Sequence, residues 1–340
     1  MQEEIVNEKN SFIFNYLTKN RFILSEYDEY IKNNIDNIDE IYDILISDVS
    51  PKTDIGNLFK GIRYYCEQQY ENMKIYYMSA IKLDNVIAML NLARYYQHVE
   101  KNYKLMSKYY LMAINNENAA AMNGLAFYYQ YYSSTKYYDL MKKYYLMAIE
   151  LKNVKAMYNL GRYYQDIEQQ YDLMKGYYLT AIDHQSKEAM NALGYYFQTI
   201  EKNYFMMSNY YLMAIKLQYS PAMINFAGYY QDIEKDYNEM LKYYVMAINL
   251  HDKNALSGLV CFFGRKEHTL YHVLVEYTDS HITKEILNTI EQNPNFQNLE
   301  HLEKYDKKCT GCLEETPCIK FMVDPEDQFI CMDCYLAMAI

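Results

Sequence analysis

Four cysteines near the end of the chain have the type and spacing to do chemistry. They form two Cys-x-x-Cys pairs, Cys309/Cys312 and Cys331/Cys334, with eighteen residues between the pairs. Two such knuckles bring four thiolates to one tetrahedral ion, so the expected cofactor is a single structural zinc. Cys318 lies between the pairs and is a spare that could substitute for a ligand or stay free. A segment this short has little core of its own, and the metal would supply its folding energy. Clustered, reduced cysteines in a chain without an evident leader fit the cytosol or nucleus rather than an oxidising compartment.

Other chemistry is poorly represented. There is no His-Glu-x-x-His, no phosphate-cradling glycine loop and no nucleophile elbow, so no enzyme activity is expected. His268 and His272 share a helical face at i, i+4, but a pair without a third ligand is ordinarily a surface or core feature. The formal net charge of −11 disfavours nucleic acid as a partner, because Lys and Arg neutralising phosphates supply most non-specific affinity. Between Cys309 and Ile340, six acidic residues face the single Lys320, which extends that exclusion to the zinc segment. A protein partner with a basic surface fits better. Met1 to Phe14 places acidic residues before its apolar ones, unlike a signal peptide, and no apolar run approaches the ~20 residues of a membrane span. The expectation is a soluble, cytoplasmic, non-secreted chain that does not bind membrane.

The elements that carry these residues repeat. The segment Tyr-Tyr-Leu-Met-Ala-Ile, with small variations, starts at Tyr76, Tyr109, Tyr144, Tyr177, Tyr210 and Tyr243. The offsets are 33 residues except for one of 35, where Tyr131 to Lys136 is two residues longer than its counterparts. Half a period away stand Ala88-Met89, Ala121-Met122, Ala156-Met157, Ala189-Met190 and Ala222-Met223, each followed by a small residue: Ala93, Ala126, Gly161, Gly194 and Ala227. Apolar residues in both segments recur at helical spacing, as in Ala156, Leu160, Tyr163 and Tyr164. With 43 Tyr and 21 Met against 10 Gly and 5 Pro, the composition suits helices filled by large side chains. Ser220 before Pro221 reads as an N-cap followed by an N1 proline. The polar stretches Glu100-Lys101-Asn102-Tyr103 and Glu168-Gln169-Gln170-Tyr171, and their counterparts, read as tight helix–helix connections.

The run Asn159-Leu160-Gly161-Arg162-Tyr163-Tyr164, followed by Tyr171, Met174, Tyr177-Tyr178 and Ala181-Ile182, resembles a tetratricopeptide unit; its opening also resembles Sel-one-like repeats. Methionines 73, 106, 141, 174, 207 and 240 replace the small residue usual in the second helix of the former, and the longer glycine-containing turn of the latter is missing. The resemblance implies an all-α, right-handed αα-solenoid of about six helix pairs, with the first helices lining its concave side. The Tyr, Asn, Ile and Lys excess resembles repeat proteins of large DNA viruses of amoebae, which would place the chain in a host cytoplasm or nucleus. Cys312-Leu313-Glu314-Glu315 with Phe329-Ile330-Cys331-Met332-Asp333-Cys334 is similar to the first metal site of a RING finger. The second site has no ligands here, so a complete RING is excluded.

The boundaries that follow are an N-terminal helical cap at 1–54, repeats at 55–260, capping helices at 261–304 and a zinc module at 305–340. The repeated methionines and small residues read as core, where adaptable sulfur–aromatic packing suits stacked helices. Gln97, Gln130, Gln165, Gln198 and Gln231 form a polar ladder, each after an aromatic pair that includes Tyr96, Tyr129, Tyr164 or Tyr230 in four of the five. Structurally, each amide would satisfy carbonyls at the next unit's helix end; functionally, amides and phenols would grip a partner peptide. The expected function is a protein-interaction scaffold. The alternatives are a ubiquitin-ligase-type adaptor with a degenerate RING, or a self-assembling virion component.

Overall fold

The computed structural model describes residues 2–20, 22, 27, 31–33, 35–47, 49–133, 137–250, 252, 254–255, 258, 304–305 and 318–319. The chain forms two compact units, Met1–Met174 and Lys175–Ile340. Helices α1 (Gln2–Lys19) and α2 (Ile38–Ile46) come first. Six pairs follow: α3 (Asp54–Cys66) and α4 (Tyr70–Ile81); α5 (Val86–His98) and α6 (Tyr103–Asn115); α7 (Ala119–Tyr131) and α8 (Tyr138–Glu150). The last three are α9 (Val154–Tyr163) and α10 (Tyr171–Asp183); α11 (Lys187–Tyr196) and α12 (Tyr204–Lys216); α13 (Ser220–Tyr229) and α14 (Tyr237–Asn249). The second helices start 33 residues apart except across the 35-residue step from α6 to α8, so the sequence period is the helix period. Beyond them, two-residue strands β1 (Lys304–Tyr305) and β2 (Cys318–Ile319) pair antiparallel.

In the first unit each helix from α1 to α8 packs on the next, and in the second each helix from α11 to α13 does the same. The reason lies in the inward stripe of each second helix. Its methionine (73, 106, 141, 174, 207, 240) and its alanine (80, 113, 148, 181, 214, 247) are fully buried. So is the second tyrosine of each pair, Tyr77, Tyr110, Tyr145, Tyr178, Tyr211 and Tyr244, to within a few per cent. The first helices contribute Ala88-Met89 and its counterparts to the same interior.

Capping is also periodic. Asn85, Asn118, Asn153 and Ser186 accept from the backbone N–H three residues on, at Ala88, Ala121, Ala156 and Ala189. The expected cap at Ser220 is corrected by this register: Tyr219 occupies the cap position without a side-chain bond, and α13 begins at Ser220 itself. The Ser220 hydroxyl instead donates to Asp252.

The connections use left-handed backbone without glycine. Gln68, Lys101, Gln169, Lys202 and Lys235 after first helices, and Asp84, Glu117, Lys152, Gln185 and Gln218 after second helices, all have φ between 52° and 61°. A left-handed residue reverses the chain in few residues, at a cost of about 1–2 kcal/mol for a side chain with a Cβ. The last three first helices also end in a π turn, at Tyr164–Glu168, Phe197–Glu201 and Tyr230–Glu234.

Candidate functional site

The glutamine ladder is largely internal. Gln97 and Gln130 are buried, and their Oε1 atoms accept from the phenols of Tyr110 (2.7 Å) and Tyr145 (2.8 Å). Gln198 accepts from Tyr211 at 2.8 Å. Each bond joins the first helix of a pair to the second helix of the same pair, so it satisfies the hydroxyl of a core tyrosine. The expected capping of the next unit's carbonyls is thus replaced, for Gln130 also through its Nε2, which donates to the Tyr131 hydroxyl at 3.1 Å. Gln165 is half-buried in its π turn. Gln231 departs from the series: its Oε1 is buried without a hydrogen-bond donor, and its Nε2 donates to Asp232 at 3.0 Å.

The aromatic residues beside the ladder stack rather than point outward. Tyr96 lies parallel to Tyr109 at 5.6 Å between centroids, Tyr129 to Tyr144 at 6.2 Å and Tyr230 to Tyr243 at 5.8 Å. Phe197 stacks on Tyr210 in the same way, and Tyr64 on Tyr76. Tyr164 is half-buried at the start of its π turn. Burial raises the phenol pKa values of Tyr96, Tyr129 and Tyr230, so these hydroxyls stay neutral at physiological pH. The residues proposed from sequence to grip a partner therefore include the mortar of each helix pair.

Between successive pairs runs a second recurrent contact, invisible as a motif. Lys142 on α8 lies over the ring of Tyr163 on α9 (5.1 Å) and pairs with Glu168, whose carboxylate also accepts from the Tyr163 hydroxyl at 2.6 Å. Lys175 of α10, Tyr196 of α11 and Glu201 repeat it, with Lys175–Glu201 at 3.1 Å and Tyr196–Glu201 at 2.9 Å. Lys74, Tyr95 and Glu100 form a looser version at 3.5 Å. The hydrogen bonds from Lys142 and then Tyr163 hold the Glu168 carboxyl below the usual carboxylate range, while Glu168 raises Lys142. Glu201 is lowered likewise, first by Tyr196 and then by Lys175.

A depressed carboxylate contributes stability that is present above its unfolded value, about pH 4.3, and is lost as pH falls through the folded value. The raised Lys142 contributes below its unfolded value, about pH 10.4, so the clasp is complete between those limits. Glu168→Gln should therefore lower the urea midpoint by more at pH 7 than at pH 3. An equal loss at both pH values would show that the carboxylate charge is irrelevant.

Among the accessible residues of the repeats, two apolar series recur. The residue before the turn of the first helix is Val99, Tyr132, Ile167, Ile200 or Ile233, exposed by 39, 48, 50, 53 and 41%. The third residue of the first five tyrosine motifs, Met78, Leu111, Leu146, Leu179 or Leu212, is exposed to a similar degree, whereas Val245 of the sixth is half-buried. Both series were legible as apolar residues at a fixed offset from the glutamine or the tyrosine pair. They escaped notice because periodic apolar residues read as core.

Cys309, Cys312, Cys331 and Cys334 lie outside the described residues, as do His268 and His272; Cys318 is described only by its backbone in β2. Among the described residues, no group of three or more His, Cys, Asp or Glu side chains could hold a metal ion, and no helix is long and apolar enough to cross a membrane.

No protein-family description and no curated protein matches the chain. Solved structures do resemble it. A protective antigen of uropathogenic Escherichia coli displaying an SLR fold is 17% identical, with a TM-score of 0.56, over 75% of this chain. The match spans 58% of that antigen's length. A Sel1 repeat protein from Oxalobacter formigenes is 19% identical, with a TM-score of 0.52, over 68% of this chain and 97% of its own. With consecutive paired helices, periodic caps and these likenesses together, the repeats have the fold of Sel1-repeat proteins.

Proposed function

We propose that the chain is a non-catalytic scaffold that binds another protein through the apolar side chains exposed at equivalent positions of successive repeats. The observation that carries this reading is the series Val99, Tyr132, Ile167, Ile200 and Ile233. An apolar residue repeated in five of the six pairs but left in solvent serves no packing role shared by the units, and exposed apolar surface is where association gains most. The net charge of −11 selects a partner with basic residues flanking its apolar contact, and steering by that charge weakens with salt.

The test starts from a partner recovered by crosslinking in the native host and then titrated as a purified protein. The double substitution Ile200→Glu with Ile233→Glu should weaken its binding at least tenfold while leaving the helical circular dichroism unchanged. Equal affinity for the variant overturns the assignment. Chain mass that grows with concentration, and is lost in the variant, would instead make a second copy the occupant.

The zinc reading of the C-terminal segment belongs to the same proposal. It is supported by the Cys309/Cys312 and Cys331/Cys334 spacing. Metal analysis should give about one zinc per chain. Cys309→Ser with Cys331→Ser should remove it without melting the repeats, whose contacts run between neighbours.

A further inference from the structure

The lysine–tyrosine–glutamate contact between successive pairs changes at one place. Lys175, Tyr196 and Glu201 recur 33 residues on as Ser208 of α12, Tyr229 of α13 and Glu234 of the π turn that follows, and α12 packs on α13. The Tyr229 hydroxyl still donates to Glu234, as Tyr163 does to Glu168 and Tyr196 to Glu201. Burial and then that carboxylate raise the Tyr229 phenol, so it stays protonated and keeps donating. Ser208 brings no cation, and its hydroxyl donates to the Tyr204 carbonyl of its own helix at 2.9 Å.

The other glutamates at this position are paired. Glu67 is held by Arg63 at 2.8 Å, Glu100 by Lys74, Glu168 by Lys142 and Glu201 by Lys175. Where serine stands in the place of the lysine at Ser107, serine also stands in the place of the glutamate, at Ser133. Cation and carboxylate are thus kept or lost together except at Glu234, which is exposed and forms no ion pair among the described residues.

A second substitution marks the same spot. Phe205 lies one turn before Ser208 on α12 and is 75% exposed. Its counterparts in the other second helices are Glu71, Lys104, Asp139, Asp172 and Asn238, all polar. That position borders the lysine of the contact: Glu71 pairs with Lys74 at 2.7 Å, and the charge of Asp139 helps to raise Lys142. An aromatic ring in solvent, at a place where sibling repeats carry polar groups, is not explained by what all repeats share. Ile233, exposed by 41%, immediately precedes Glu234 and joins the spot to the apolar series on the turns.

We propose that this seat on α12 and α13 receives a lysine side chain of the protein partner, its ammonium on Glu234 beside the Tyr229 hydroxyl and its methylene stem along Phe205. The proposal rests on the scaffold reading and adds to it the residue by which the partner is anchored. Lys142 and Lys175 are the templates: each lies over the equivalent tyrosine ring, at 5.1 and 5.6 Å, and pairs with the equivalent carboxylate. A compact charged head on a long apolar stem suits a seat made of one carboxylate and one exposed ring.

Two short acetylated peptides, one with a single lysine flanked by leucines and one with Nε-acetyl-lysine in its place, test the seat when titrated into the full chain by nuclear magnetic resonance. The second keeps the stem and removes the charge. The lysine peptide should bind saturably, and the acetyl-lysine peptide at least about threefold more weakly, the size of a half-exposed ion pair. Ser208→Lys fills the seat from within and should weaken the lysine peptide by at least that factor, whereas Glu201→Gln, whose seat Lys175 already occupies, should leave it unchanged. Should Ser208→Lys lose helical signal, Glu234→Gln takes its place and should show the same loss. Absence of saturable binding, equal binding of the two peptides, or binding indifferent to both variants would overturn the proposal. The recovered partner separates this failure from that of the scaffold reading. Affinity lost in the Ile200→Glu, Ile233→Glu protein but kept in Ser208→Lys sinks the lysine seat alone, and the reverse pattern sinks the apolar series alone.

Discussion

Tyr145→Ala should strongly destabilise the first unit. The side chain is fully buried on α8, and its hydroxyl donates to Gln130, itself buried on α7. Removing an aromatic ring from a packed interior costs about 3–5 kcal/mol. Leaving the Gln130 oxygen without its donor adds about 1–3 kcal/mol. Against the ~5–15 kcal/mol that holds a typical domain, this is enough to unfold the neighbouring pairs at moderate urea. Tyr145→Phe separates the two contributions, since it keeps the ring and should lose only about 1–2 kcal/mol. Urea denaturation followed by far-ultraviolet circular dichroism reads both. A Tyr145→Ala loss below about 1 kcal/mol would show that the repeat interior tolerates a cavity, contrary to its packing.

Gly194→Leu should be the most damaging small-to-large change in the second unit. A Cβ at Gly194 would lie 2.7 Å from two ring carbons of Tyr211, and that ring is fully buried. The equivalent positions Ala93, Ala126 and Ala227 show that one carbon can be accommodated when the neighbouring ring shifts. Three further carbons cannot, and overpacking of this kind costs about 3 kcal/mol or more. Gly176 supplies the opposite case within the same unit. It lies inside α10 with nothing within 4 Å of its would-be Cβ, so Gly176→Ala should stabilise by about 0.5–1 kcal/mol through helix propensity. Thermal melts of the two variants should move in opposite directions; a shared direction would mean that glycine acts here through something other than space and helix propensity.

The repeat, the helices and their inward faces are legible in the amino-acid sequence alone. These are local properties: a stripe at 3.6-residue spacing has one way to hide, whatever lies next to it. The spacing of methionines 73, 106, 141, 174, 207 and 240 therefore predicts that they are interior, and all six are fully buried. The caps Asn85, Asn118, Asn153 and Ser186 were also legible at one-period spacing, but attention to the Ser-Pro pair at 220 set that boundary one residue late.

Which polar groups meet depends on how the helices pack. Gln97 and Tyr110 are separated by thirteen residues, Lys142 and Glu168 by twenty-six, and Tyr27 and Asn91 by sixty-four. No pattern of period reports such pairs, because they depend on the angle at which one helix crosses another and on turns built from left-handed lysines and glutamines rather than glycine. The same holds for the seat at Glu234, which combines Phe205 and Ser208 of α12 with Tyr229 of α13. Periodicity fixed what is buried, and the packing of one pair on the next fixed what is left for a partner to touch.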